Sequence, residues 1–159
     1  MLHELEIKDI LLIKRLTLEF SSGLNAFTGE TGTGKSILLD CLGFALGARG
    51  QASMVRDGME RGEVVAVFST KRSRKVNLIL DKADIPKSGE LIIRRVNFSD
   101  GRKAAWVNDK RVSSDFLRYL GGNLIEFHGQ HDERGLLDVK GHLHLLDQFA
   151  KTGKALNSV

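Results

Sequence analysis

The eight residues from Gly29 to Ser36 read GETGTGKS and satisfy the phosphate-binding pattern G-x-x-x-x-G-K-[S/T] at every constrained position. Such a loop works as the turn between a strand and a helix, because the helix must aim its unpaired first N–H groups and positive dipole end at the phosphates. That requirement points to an α/β fold. Upstream, Leu24-Asn25-Ala26-Phe27 is a short apolar run that suits a buried strand. Downstream, Ile37, Leu38, Cys41, Leu42, Ala45 and Leu46 recur at helical spacing, so a helix is expected up to about Gly47. Within the loop, Gly29, Gly32 and Gly34 let backbone N–H groups wrap an anion, while Glu30, Thr31 and Thr33 fill the variable positions. Lys35 is placed to reach the β- and γ-phosphates, and the Ser36 hydroxyl to ligate magnesium. The competing reading, a glycine-rich turn without a ligand, is disfavoured by the strand–loop–helix context.

At 159 residues, 42% hydrophobic and 28% charged, the chain is expected to bury one substantial core. No apolar run approaches the roughly 20 residues of a membrane span. The start, MLHELEIKD, lacks the layout of a secretion signal. The expected location is therefore cytoplasmic, away from any membrane. A single cysteine, Cys41, cannot form an internal disulfide and lies on the apolar stripe of the first helix, so a buried, reduced thiol is expected. Net charge is +4, which permits a polyanionic partner without demanding one. Basic residues gather at Lys71, Arg72, Arg74 and Lys75, and at Arg94, Arg95, Arg102, Lys103, Lys110 and Arg111. These runs are either a solvated face or a contact for a DNA backbone.

Leu5 and Ile7 alternate with polar neighbours, as do Leu16, Leu18 and Phe20, giving two half-buried strands in antiparallel style before the loop. GARGQASMVRDGMERG reads as a long surface connection, followed by a strand over Val64 to Phe68. Leu78-Ile79-Leu80-Asp81 mimics an apolar strand ending in a magnesium-binding acid. It follows a basic run, continues without a turn and stops at Ile85-Pro86, which favours a short amphipathic helix and excludes Asp81 from that role. Strands over Leu91 to Phe98 and Lys103 to Val107 are joined by Ser99-Asp100-Gly101-Arg102, a hairpin signal. A turn at Asn108-Asp109 and a short strand near Arg111-Val112 lead to Ser113-Ser114-Asp115, the cap of a helix to Leu120. Asn123 to Phe127 suits a buried strand running into His128-Gly129-Gln130-His131, where Gln130 either reaches the magnesium and the attacking water or caps a loop. A last helix is marked by Leu136, Leu137, Leu143, Leu146 and Phe149, with too few heptads for a coiled coil. His128/His131 and His142/His144 lack the ligand pairing of a zinc site.

TGETGTGKS at 28–36, MVRDG at 54–58, LIIRRV at 91–96, SDGR at 99–102, VNDKRV at 107–112 and FHGQHDERGLL at 127–137 together resemble the N-terminal part of the RecN family of bacterial DNA repair ATPases, across nearly the whole chain. That family is SMC-like, with a head built from the two ends of one polypeptide and a long antiparallel coiled coil between them. The resemblance implies a P-loop NTPase fold of the ABC-ATPase head type, with a mixed or antiparallel β subdomain beside a parallel core sheet, incomplete without a C-terminal half. Residues 1–150 become the N-terminal part of the head and 151–159 the start of the coiled-coil arm. The implied cofactors are ATP and Mg2+. Gly29 to Ser36 become the Walker A loop, Gln130 the glutamine that senses magnesium and the γ-phosphate, and Arg56 the arginine near the nucleotide and DNA side. Thr33 departs from the family's usual alanine inside the variable part of the loop.

The implied function is ATP-driven head engagement coupled to DNA binding in double-strand break repair and recombination, in a cytoplasmic, nucleoid-associated protein. The implied partners are DNA, the C-terminal half of the same head and a second head. The Walker B acid, catalytic glutamate, signature loop and switch histidine belong to the family's C-terminal half. The whole protein is thus expected to be an ATPase, and this chain alone to turn over negligibly. Two other classes compete: a self-contained small P-loop kinase using Asp81 and the 71–75 run, and a DNA-binding module whose loop is structural.

Overall fold

The computed structural model describes residues 1–28, 34–71 and 73–125. Alternating apolar residues produce a sheet with one face turned to the core: β1 (Leu2–Ile10), β2 (Ile13–Glu19), β3 (Arg61–Ser69), β4 (Glu90–Phe98), β5 (Lys103–Val107) and β6 (Lys110–Arg111). They lie in the order β2-β1-β3-β4-β5-β6, with each neighbouring pair antiparallel. Leu5 and Ile7 of β1, Val64, Ala66 and Phe68 of β3, Leu91 and Ile93 of β4, and Ala105 and Val107 of β5 fill the core. The buried faces of α1 (Lys35–Ala45), α2 (Arg74–Lys82) and α3 (Ser114–Gly121) join them there. The antiparallel subdomain expected from the alternation is present. The parallel core sheet expected beside it is not represented among the described residues, whose ladders are all antiparallel.

The local signals act as the physics requires. Gly101 (φ 86°) closes the β4–β5 hairpin, where Asp100 accepts from the Arg102 backbone N–H at 2.9 Å. That bond and the Arg102 side chain hold the Asp100 carboxyl below its ordinary value. Asn108 and Asp109 both take left-handed backbone (φ 44° and 66°) to turn β5 into β6. The expected helix is present as α2, running from Arg74 to Lys82 and stopping short of Ile85, capped by Ser73 Oγ accepting from Val76 N. Asp81 lies on this helix and pairs with Lys87 Nζ at 2.5 Å, in keeping with its exclusion as a magnesium acid. Ser113 caps α3 through the Phe116 N–H.

Three expectations need correction. Leu24 to Phe27 is not a strand: Leu24 is 96% exposed, and Asn25 Nδ2 donates to Ser21 O and Gly23 O, closing a local turn instead of a ladder. Asn123 to Ile125 is a turn, because the N–H groups of Leu124 and Ile125 both fold back onto Gly121 O at 3.0 Å. The remainder of that expected strand, with Gln130, the four histidines from 128 onward and the last helix, lies outside the described residues.

The third correction concerns the basic hairpin. Arg95 stands on the inward face of β4, aligned with Leu91, Ile93 and Asn97, and is 2% exposed. It donates from Nη1 to Phe44 O and to Ala48 O (2.8 Å), and from Nη2 to Ser114 Oγ (3.3 Å). Its guanidinium carbon lies 4.3 Å from the centroid of the Phe44 ring. Burial, aided by Arg118, lowers its pKa to about 10, leaving it cationic at neutral pH. Several neighbours are also internally engaged. Arg94 pairs with Glu63 (2.5 Å) over Trp106, Arg102 pairs with Asp100, and Lys110 Nζ donates to Ala83 O and Asp84 O at the end of α2. Replacing Arg95 by alanine removes three charged hydrogen bonds and leaves Ala48 O without its donor, while Phe44 O keeps the Gly47 N–H, so urea denaturation should show a loss of about 3 kcal/mol, at the upper end for charged hydrogen bonds. Lysine should not restore it, lacking the planar fork that serves several acceptors.

Candidate functional site

The described part of the phosphate loop is its exit into α1. Gly34 is the N-cap, with φ 96° and ψ 4°. A Cβ there would find open space, its nearest neighbour being Ile37 Cδ1 at 3.9 Å, so glycine is demanded by the left-handed backbone and not by crowding. Among the described residues no side chain caps this helix, and its first turn carries no acid. Its leading N–H groups therefore have no side-chain acceptor among the described residues, while the partial positive charge of the helix end goes uncompensated. An anion placed there gains both. The helical ladder starts with Leu38 N–H on Gly34 O at 3.2 Å.

Lys35 contributes the first helical residue, and Ser36 is exposed on the first turn. Asp40, also exposed, follows four residues later on the same face. The sequence reading passed over this carboxylate, although the i,i+4 spacing from Ser36 was visible. Gly29, Glu30, Thr31, Gly32, Thr33 and Gln130 lie outside the described residues. Gly34, Lys35 and Ser36 are thus brought together by one helix start, which offers backbone donors and a hydroxyl suited to a hard cation.

Arg56 is held elsewhere. Its backbone N–H donates to Asp9 O (3.0 Å) and Nη1 to Leu12 O (2.9 Å), while Val55 bridges Ile10. The connection after α1 is thereby laced to the β1–β2 turn, where Asp9 and Leu11 take positive φ (51° and 48°). It runs largely on the surface, as expected, and is tethered at Val55 and Arg56. Most of the guanidinium's donors have no partner among the described residues.

The far end of α1 is anchored tightly. Gly47 (φ 101°) ends it against α3, where a Cβ would come within 2.5 Å of Arg118 N. A Cβ on Gly121 would stand 2.7 Å from Leu46 O. Asn97 Nδ2 donates to Gln51 O at 2.6 Å, tying the following segment to β4. These contacts hold the C-terminal end of the helix, whose N-terminal end has no side-chain cap among the described residues. The roles of Arg95 and Asn97 escaped the sequence reading, since a polar residue gives no sign of pointing inward. Among the described residues no group of His, Cys, Asp or Glu is arranged to hold a metal, and no helix is long and apolar enough to cross a membrane.

A family model described as an AAA domain matches residues 4–135. The DNA repair protein RecN of Vibrio cholerae is 41% identical over 150 residues, covering 94% of this chain and 27% of the relative. RecN of Bacillus subtilis is 39% identical over 151 residues, covering 94% and 26%. The chain thus spans about a quarter of the length of the curated relatives it matches. A solved chain from work on ATP-driven dimerization and DNA stimulated activation of SMC ATPases superposes with a TM-score of 0.64 at 22% identity, covering 93% of this chain and 98% of that one. The chain shares its fold with that part of an SMC ATPase.

Cys41, on the buried face of α1, is a free thiol as expected. Burial, with a contribution from Asp40, pushes its pKa up from 9.0 to about 12. Ellman's reagent at pH 8 should therefore label it only as fast as the protein unfolds. Between pH 9 and 12 the unfolded thiol loses its proton while the folded one keeps it, so stability should fall as pH rises, by up to about 1.4 kcal/mol per unit from this group. Cys41→Ala should flatten that part of a denaturation profile.

Proposed function

The chain belongs to the AAA domain family, and from that premise we propose that it is the nucleotide-cradling N-terminal segment of an SMC-like ATPase head that acts in DNA double-strand break repair and recombination. The observation that carries this reading is GETGTGKS leading into a helix whose glycine-led start has no side-chain cap among the described residues. The similarity to the first quarter of RecN supports the biological setting. Residues 1–150 form the head segment and 151–159 begin the coiled-coil arm.

The ligand is ATP with Mg2+. Backbone N–H groups from Gly29 to Gly34 hold the phosphates, Lys35 neutralises the β- and γ-phosphates, and Ser36 ligates the cation through its exposed hydroxyl. Magnesium supplies charge neutralisation across the phosphates. Gln130 senses the cation and the γ-phosphate from the segment after α3, and Arg56 faces the nucleotide from its own loop. A glutamate that orients water comes from the C-terminal half of the head, and a second head completes each site. Head engagement on ATP couples to DNA binding in the cytoplasm, at the nucleoid. A self-contained kinase is disfavoured by Asp81, which sits on a helix and is paired with Lys87.

Calorimetry with Mg-ATP, on this chain alone and mixed with the C-terminal head segment, tests the proposal. The expected outcome is binding that strengthens in the mixture and is lost in Lys35→Ala, with no steady ATPase from the chain alone. A steady rate from the isolated chain that vanishes in Lys35→Ala would show that the catalytic groups are already present. Absence of nucleotide binding in both samples would sink the reading as a whole.

A further inference from the structure

Helices α2 and α3 both line a groove of about 390 Å³. Its apolar lining comes from Leu78 and Ile79 of α2 and from Phe116 and Tyr119 of α3. Leu78 is 51% exposed and Tyr119 60%, large apolar areas for positions on short amphipathic helices. Lys75, Lys82 and Ala83 complete the lining. Seven residues apart on α2, the two lysines lie two turns from each other on one face, roughly 10 Å along the axis.

The charge of this rim is one-sided. Neither lysine has an ion-pair or hydrogen-bond partner among the described residues. The carboxylates of the two helices are already engaged, Asp81 by Lys87 at 2.5 Å and Asp115 by Arg118 at 3.0 Å. Asp84 lies past the end of α2, where Lys110 Nζ donates to its carbonyl. An apolar trough between two helices, flanked by two unneutralised cations, is shaped for a third helix with complementary charge.

We propose that the α2–α3 groove is a docking site for an amphipathic helical segment of another protein, one that inserts apolar side chains between Leu78 and Tyr119 and sets carboxylates against Lys75 and Lys82. This goes beyond nucleotide binding and needs no ATP. A nucleic acid fits less well, because a phosphate backbone has no use for the apolar floor. A second copy of this chain also fits less well. Among its described helices, α1 and α3 carry one acid each and α2 is basic, so none presents an apolar strip between flanking carboxylates.

The probe is a fluorescein-labelled helical peptide of about 14 residues with leucines at i, i+3, i+4 and i+7 and glutamates flanking them, titrated against the 159-residue chain by anisotropy. The acidic peptide should bind, and Lys75→Glu with Lys82→Glu should weaken it by about tenfold or more. The same double variant should bind a lysine-flanked version better than the native chain does, a gain that misfolding cannot mimic. Leu78→Ser should also weaken binding without a change in melting temperature. No binding, or equal binding of acidic and basic peptides, overturns the proposal. So does duplex DNA binding that requires Lys75 and Lys82 when the peptide does not bind, or self-association abolished by Leu78→Ser.

Discussion

One buried cation holds the candidate site in place. Helix α1 lies across β1, β3 and β4, and its last carbonyls have no partner within the helix. Arg95 rises from the inward face of β4 to take Phe44 O at that end and Ala48 O just beyond it, with its guanidinium stacked on the Phe44 ring. A positive charge at a helix C-terminus also meets the negative end of the dipole. Burying an unpaired guanidinium would be prohibitive, and here three hydrogen bonds and the Phe44 ring offset much of that cost.

The two ends of α1 both need glycine in left-handed backbone, for opposite reasons. Around Gly34 there is room, and the conformation delivers the chain into the helix so that its leading N–H groups point outward. Around Gly47 there is none, because α3 comes within contact of the backbone. The crowded end registers the helix against the sheet and α3, and the other end is the one proposed to meet an anion. That division places a functional loop on a rigid element whose energetics lie elsewhere in the chain.

Much of this could be read from the residues. Alternation located the strands because a half-buried sheet imposes a period of two, and Asp100-Gly101 marked its hairpin through a backbone conformation that few residues tolerate. Helix α2 was separable from a strand by its boundaries despite Leu78-Ile79-Leu80. Leu24 to Phe27 was misread because a short apolar run carries no period, and Asn25 had a local partner in Ser21. Arg95 looked like surface charge beside Arg94, yet adjacent strand positions point to opposite faces. One arginine therefore went to Glu63 and Trp106 and the other into the core.

By itself, the sequence determined that the G-x-x-x-x-G-K-S pattern runs into a helix, and that an antiparallel sheet with one apolar face accompanies it. Both follow from local chemistry: glycine's freedom, the pattern of the loop and the pleat of a strand. Only the tertiary structure decided that Arg95 and Asn97 serve the segment from Phe44 to Gln51, that Gly47 and Gly121 bring α1 against α3, and that the basic hairpin is largely spent on internal partners. Those outcomes depend on which residues meet across some fifty positions of chain, as Arg95 and Phe44 do. No local pattern encodes such a distance, because it is set by how the sheet and helices share one core.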